Sequence, residues 1–570
     1  MGGGGARRIG VRPEVGSNRW TGVIGGGLSL LLRRRARRLG DLSYWARETG
    51  AVQRRELRGL LSAARGTAFG REAGFGSLLR HEGADLERAF RESVAPAGYE
   101  SFRGRLSRMR EDAEPDVLWP GIVYDWAQTS GTTGGEKYIP VSREMLRSNR
   151  KAGFDIFAHS MRAGVPLGRI FGGKMVFLGG STDVSVNEHG VRTGDLSGLA
   201  TGLIRWPLTE VYLPGSGIAL ESHWPTKVEK LVDRCLREDV RFFSGMASWS
   251  LLVFERLVER ARELGVVGRN GVLRDVWPNL TTFVHGGVRY GPFDPSVRRV
   301  WSGRGDVGDA RADVPHRLEV YPASEGFVAM QDTAGDPGLR LLVDHGVYYE
   351  FLPAEEVDPE RPDEIDAGVR AFGAHEVEKG VRYVVCMTTC AGLWRYVIGD
   401  LVEFDTVPPE GPARLRIVGR HRHFMNAFGE NLISENIEDA AVAAREAVEL
   451  ELGEFTAGPV YPSGGREGGL ELVVEVRGSG DIEEQRLRAF GGAFDAALRK
   501  ISVDYDTKRT DSVGMGEPVV TVVGEGVFSG WMASRGKLGG QNKVPRVANH
   551  REFVDGLREA GGVGEGATGA

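Results

Sequence analysis

Cysteine is scarce: Cys235, Cys386 and Cys390 are the only three among 570 residues. So sparse and odd a set excludes a disulfide framework and suits a reducing compartment, so a cytoplasmic location is expected. Cys386 and Cys390 stand in "CMTTC", the spacing of half a metal site, but no second Cys/His pair accompanies them. Alternation along "YVVCMTTCAG" reads better as a buried strand. A dominant charge sign is also missing, because 73 Lys and Arg face 78 Asp and Glu for a net −5. That balance lacks the concentrated basic surface of a nucleic-acid binder, and no nucleic-acid partner is expected. Long hydrophobic runs are absent as well. "VIGGGLSLLL" stays apolar for only about ten residues, too few for a membrane span. It leads into "RRRARR" rather than a cleavage site, so neither a signal peptide nor stable membrane insertion is expected. The basic run could touch anionic lipid, but a solvated helix face is the simpler reading.

What is abundant is glycine, 83 residues, much of it in loops. The length calls for more than one core. The opening "MGGGGARRIGVRPEVG" is low in complexity, so residues 1–40 are expected to form a disordered tail. From 41 to 418, helical stretches such as "TKVEKLVDRCLRED" and "WSLLVFERLVERARELG" alternate with strands such as "KMVFLGG", "LTTFVHGG" and "LEVYPASEG". That rhythm predicts a large α/β domain of helix-covered sheets. Near 418 it changes. Residues 419–430 read as a hinge, 431–558 as a small mobile α+β domain, and 559–570 as a second tail.

The stretch "AQTSGTTGGEKYIPVS", residues 127–142, returns abruptly from small polar residues to an apolar run. It is not a Walker A loop, since Glu136 and Lys137-Tyr138 stand where Gly-Lys-Ser/Thr is required. Its physics is still that of an anion cradle. Small residues let backbone N–H groups converge, and Thr129, Ser130, Thr132 and Thr133 add hydroxyl donors. Lys137 can place a positive charge beside phosphates. A surface loop of turn formers is the alternative.

"TSGTTGGEKYIP" resembles the phosphate loop of the adenylate-forming superfamily. "VYPASEG", "WRYVIGDLVEF" and "IVGRHRHFMNAFGENLISENIE" resemble its later segments, in the required order. With "TAFGREAGF", "DVLWPG", "YYEFLP" and "GGQNKVPRV", the chain is similar from about residue 45 to 555 to the Gretchen Hagen family of acyl-acid amido synthetases, in a bacterial form.

The resemblance implies an enzyme that activates a carboxylic acid with ATP and Mg²⁺ as acyl-AMP. The acyl group then passes to an amino acid. The protein is expected to be a monomer whose partners are those small molecules. Thr129, Ser130, Thr132 and Thr133 would cradle phosphates, with Lys137, Ser324 and Arg420 also in contact with the nucleotide. Tyr321 would pack on adenine, Asp400 would take the ribose hydroxyls, and Glu325 would hold Mg²⁺. Lys543, with Gln541 and Arg546 orienting its loop, would meet the rising negative charge of the transition state. Ser248, Trp249, His285 and Gly286 fall where the family lines its acyl site. Each residue has a plainer account: a helix cap for Glu325, a turn former at Asp400, core for Tyr321, a buried helix start at "SWSLL", a solvated lysine at 543. Pro322 replaces the family's usual glycine and removes an N–H donor. His421 and His423 make the hinge His-rich, which reads as exposed polarity. An acyl-CoA synthetase on the same scaffold, and a nucleotide-binding regulator without turnover, are the alternative functions.

Overall fold

The computed structural model describes residues 19–129, 137–179, 184–201, 208–219, 224–287, 290–358, 365–420, 424–425, 432–460, 469–476, 483–502, 505–506, 509, 515–536, 544–548 and 550–563. Its strands, in chain order, are β1 (Asp125–Thr129), β2 (Lys137–Val141), β3 (Lys174–Phe177), β4 (Ser185–Val186), β5 (Arg192–Gly194), β6 (Tyr212–Leu213) and β7 (Val240–Met246). Then follow β8 (Thr282–Gly286), β9 (His316–Ala323), β10 (Gly326–Gln331), β11 (Leu339–Leu341), β12 (Val347–Pro353), β13 (Phe372–Gly373) and β14 (Arg382–Thr389). The last are β15 (Tyr396–Thr406), β16 (Arg414–Arg420), β17 (Phe424–Met425), β18 (Leu432–Ile433), β19 (Leu452–Val460), β20 (Gly469–Val476) and β21 (Val519–Val523).

A 12-stranded sheet carries the large domain, in the order β13-β12-β14-β15-β16-β11-β10-β9-β8-β7-β3-β6. Strands β3, β7, β8 and β9 run parallel, as their intervening helices require. From β9 onward the pairing is antiparallel. A 4-stranded sheet, β2-β1-β5-β4, lies beside it. The smaller C-terminal domain has its own 3-stranded sheet, β19-β20-β21, and its own apolar core with helices Ser434–Val448 and Glu484–Ile501. The predicted α/β class is therefore the observed one.

Residues 19–40 correct the expectation of a disordered tail to residue 40. Arg19–Gly40 is one helix. Ile24, Leu28 and Leu32 pack on one core cluster, and Ala36 and Leu39 enter another. Gly25 permits close approach to a neighbouring helix, since a Cβ there would lie 2.7 Å from Gly168 Cα. Arg35 then pairs with Asp155 and Asp344 at 2.5 and 2.6 Å. The glycines suggested disorder, but tertiary packing outweighs their low helix propensity. At the other end the Glu552–Ala560 helix and Val563 pack on a core cluster, so order continues past the expected start of the tail at 559. Cys386 lies within β14, and all three cysteines are buried free thiols. Burial pushes the Cys390 thiol up to about 12.

Candidate functional site

Tyr321 is buried at the end of β9, and its hydroxyl donates a hydrogen bond to Asp400 Oδ2 on β15. Three strands, β16, β11 and β10, separate their own strands in the sheet order. Flat strands spaced about 4.8 Å apart would hold the two backbones roughly 19 Å away from each other, too far for these side chains to bridge. The sheet therefore curls, and β9 and β15 face one another across its concave side. Asp400 follows Gly399, whose φ of 80° lies in the left-handed region, where glycine carries no Cβ penalty. The backbone of Asp400 pairs with that of Arg420 at the end of β16. Tyr321, Asp400 and the Arg420 backbone thus come together.

The carboxyl ends of the parallel strands supply the second half of the site, the edge where open α/β sheets bind ligands. In register, Met246 of β7 pairs with Gly286 of β8, and Gly286 with Val320 of β9. β7 runs directly into helix Ala247–Glu263, whose first turn carries Ser248 and Trp249. β9 ends in the turn bearing buried Ser324 and half-buried Glu325. The turn with Ser324 and Glu325 therefore shares one edge with Gly286 and the start of the Ala247–Glu263 helix. Trp249 packs against the helix-side core, and the Ser248 side chain lies outside the described residues. Gly286 has a packing reason of its own, because a Cβ would fall 2.1 Å from Val320 O.

His285 is buried with its ring stacked on Tyr290, centroids 4.0 Å apart at 20°. Burial first, and then the Arg317 guanidinium, hold the imidazole well below its usual pKa, so it is neutral at pH 7. Its Nδ1 has no hydrogen-bond partner among the described residues. Arg317 lies 4.2 Å over the other ring of this stack and pairs with Asp294 at 2.8 Å and Asp313 at 3.1 Å. Tyr290 and Arg317 are residues that sequence reasoning missed. The only signal was an aromatic five positions after the histidine in "VHGGVRYGPF".

The phosphate-loop segment closes an antiparallel hairpin, with Thr129 of β1 paired to Lys137 of β2. Ser130, Thr132, Thr133 and the Thr129 side chain lie outside the described residues. The Lys137 ammonium sits 5.4 Å from the Tyr99 ring centroid, and Tyr138 N donates to Tyr99 Oη at 2.9 Å. Trp126, Ala127, Ile139 and Val141 share one core cluster with Tyr321, so the hairpin base and the nucleotide strand rest on the same packing.

Lys543, Gln541, His421, His423 and the Arg420 side chain are also outside the described residues. Arg546 is described and proves to be an anchor. It pairs with Glu454 at 2.6 Å and Glu438 at 3.4 Å and lies 4.3 Å over Phe455. Backbone bonds between Ala457 and both Arg546 and Ala548 fasten this segment to β19.

Several of the remaining motifs turn out to be scaffold. Trp394 of "GLWRYVIGD" stacks near Phe69 and Phe75 of "TAFGREAGF", with centroids at 6.0 and 4.6 Å. Its Nε1 donates to Leu118 O of "DVLWPG" at 3.1 Å. Arg395, buried with φ 45°, pairs at 2.8 Å with Glu350 of "YYEFLP". These contacts fix the strand that carries Asp400. Among the described residues, no group of three or more His, Cys, Asp or Glu gathers as a metal site, and no helix is long and apolar enough to cross a membrane.

Three family models match the chain: the GH3 family N-terminal domain over 38–210, the central domain over 340–420 and the C-terminal domain over 435–552. Similar curated proteins include jasmonoyl–L-amino acid synthetase GH3.5 of Oryza sativa subsp. japonica, 26% identical over 303 residues, covering 50% of this chain and 48% of that protein. Indole-3-acetic acid-amido synthetase GH3.10 of Arabidopsis thaliana is 24% identical over 316 residues, covering 52% and 49%. The chain thus spans about half the length of these curated relatives. Among solved structures, a GH3.15 acyl acid amido synthetase superposes with a TM-score of 0.70 at 18% identity, covering 90% of this chain and 93% of that one. A 2-hydroxyisobutyryl-CoA ligase superposes at 0.54 and 16%, covering 91% and 93%. Both likenesses are of fold.

Proposed function

Because this chain belongs to the GH3 family, we propose that it is an ATP-dependent acyl-acid amido synthetase. A carboxylate is a poor acyl donor, since it is anionic and its oxygen leaves badly. In the first step a carboxylate oxygen attacks the α-phosphorus of ATP, the bond to the β-phosphate breaks, and pyrophosphate leaves. In the second step an amino-acid nitrogen attacks the acyl carbon, the bond to AMP breaks, and the amine gives up a proton. Holding the acid and the α-phosphorus in line supplies much of the rate.

The observation that carries this reading is the Tyr321–Asp400 hydrogen bond at the carboxyl edge of the parallel strands. It joins an aromatic side chain and a carboxylate, the pair a nucleoside requires. Tyr321 packs on adenine while Asp400 accepts from the ribose hydroxyls. Thr129, Ser130, Thr132, Thr133 and Lys137 hold the phosphates, with Ser324 and Arg420 also in contact with the nucleotide. A magnesium ion, when bound, screens the triphosphate. Glu325, a half-buried carboxylate in the turn after β9, is the residue to hold it. Magnesium keeps several waters and leans on substrate phosphates, so one carboxylate can serve it. Lys543 brings a positive charge to the α-phosphate during the first step. The C-terminal domain then turns about residues 419–430, withdrawing Lys543 and admitting the amine. Trp249, Ser248, His285 and Gly286 border the acid, with an uncharged imidazole in the wall.

The test is pyrophosphate exchange into ATP across a panel of carboxylic acids, followed by mass spectrometry of products formed with amino acids or with CoA present. Acid-dependent exchange and an amide are expected. Exchange with none of the acids refutes the activation step; a thioester without amide refutes the acceptor.

A further inference from the structure

We propose that the outward face of the Arg19–Gly40 helix docks the protein on an anionic lipid surface. At 100° per residue, positions 24, 25, 28, 32, 35, 36 and 39 point one way and are the ones packed inward. The opposite face carries Leu30, and Leu31 stands 100° round from it on the flank of the helix; they are 71% and 78% exposed, the highest values among the exposed large apolar residues described. It continues one turn later with Arg33, Arg34, Arg37 and Arg38, all exposed. Gly26 and Gly27 precede the leucines with open space around them. The face is thus split along its length, apolar at one end and cationic at the other.

The helix is held in this orientation. Arg35, the one inward arginine of the run, is locked by Asp155 and Asp344. The guanidinium of Arg38 lies 3.9 Å over the Tyr44 ring, which steadies the cationic end. A rigid presentation lowers the ordering cost of docking.

Charge decides the occupant. The chain as a whole carries −5, so this face is a local positive patch on an acidic protein, and its partner must bear concentrated negative charge. Residues 1–18 hold Arg7, Arg8 and Arg12 against Glu14 alone, so their composition supplies no concentrated negative charge. A nucleic acid would satisfy the arginines but would leave two leucines in water. A bilayer with anionic headgroups satisfies both ends, with the leucines at the acyl boundary and the arginines among phosphates. No spanning is involved.

The experiment is co-sedimentation of the full chain with vesicles of phosphatidylcholine alone or with about one third phosphatidylglycerol. The protein should pellet with the anionic vesicles only, and raising salt from about 0.1 to about 0.5 M should cut the partition about tenfold. The double variant Leu30→Ser/Leu31→Ser, melting like wild type, should lose about tenfold in partition. The quadruple variant Arg33→Gln/Arg34→Gln/Arg37→Gln/Arg38→Gln should no longer pellet. Failure to pellet with anionic vesicles overturns the proposal, as does equal pelleting with phosphatidylcholine alone. Unchanged partition of the leucine variant, or full displacement from vesicles by a short RNA, overturns it too and assigns the face to a polyanion instead.

Discussion

At the scale of single residues, the hydroxyl of Tyr321 does something its ring does not. It holds the Asp400 carboxylate, which lies 79 positions away in the chain. Tyr321→Phe keeps the ring and removes that bond, so the KM for ATP should rise about tenfold while kcat changes little, as for a lost hydrogen bond to a charged group. Steady-state kinetics with saturating acid reads this directly. Lys543→Ala should behave in the opposite way, slowing adenylation by about 10²–10³ with little loss of ATP affinity. Single-turnover assays and nucleotide titration distinguish the two. Tyr321 and Asp400 were each visible in the sequence as members of separate segments. The link between Tyr321 and Asp400 was not, because it depends on how a sheet curls across three intervening strands. The stack of His285 on Tyr290, with Arg317 above, escaped for a related reason: its members come from β8, the segment after it and β9, and no periodicity joins them.

Among elements, the helix Arg19–Gly40 and the strand β19 show where local sequence misleads. Gly25, Gly26 and Gly27 stand within the helix without breaking it, and the inward glycine is what permits its close packing. Gly458 and Pro459 argue against a strand, yet β19 forms at the edge of its sheet, where a proline is tolerated. Gly458 is also needed there, because a Cβ would meet Val554 Cγ2 at 2.9 Å. By contrast β3, β8 and β9 stood out as apolar runs ending in turns, because their packing demand is written in each strand itself. Arg35 fastens the N-terminal helix alongside its apolar face. Burial alone pushes Asp155 up, but hydrogen bonds from Arg35 and His345 outweigh it and hold this carboxyl at about 2. Arg35→Ala should therefore destabilise the protein by about 3 kcal/mol, at the low end for breaking a buried pair because Arg35 keeps some solvent contact. The urea midpoint should fall accordingly, and an unchanged midpoint would mean that the helix is not held there.

Across the whole molecule, acid sensitivity follows from histidines kept neutral. Burial, only partly opposed by Asp332, holds His159 down at about 3. Burial alone takes His316 to about 4, and His285 also lies well below its usual value. Their folded pKa values are below the unfolded one near 6.5, so as pH falls through about 6.5 the unfolded chain takes up protons first and stability drops. At pH 5.5 each contributes a loss of about 1.4 kcal/mol relative to neutral pH. Glu56, Asp125 and Asp313, which burial raises, act in the opposite sense and offset part of it. Urea unfolding at pH 7.5 and about 5.5 should show a lower midpoint in acid; a flat profile would contradict the buried neutral histidines.

Two domains with separate cores suit a reaction that must exclude water while an acid is activated and then admit an amine. The claim beneath that arrangement is that the acid's own oxygen attacks the α-phosphorus of ATP. Supplying an accepted acid with oxygen-18 in its carboxyl group, and weighing the AMP released, tests it most directly. One labelled oxygen in each AMP phosphate is the predicted result; unlabelled AMP, or ADP carrying no label, would contradict it.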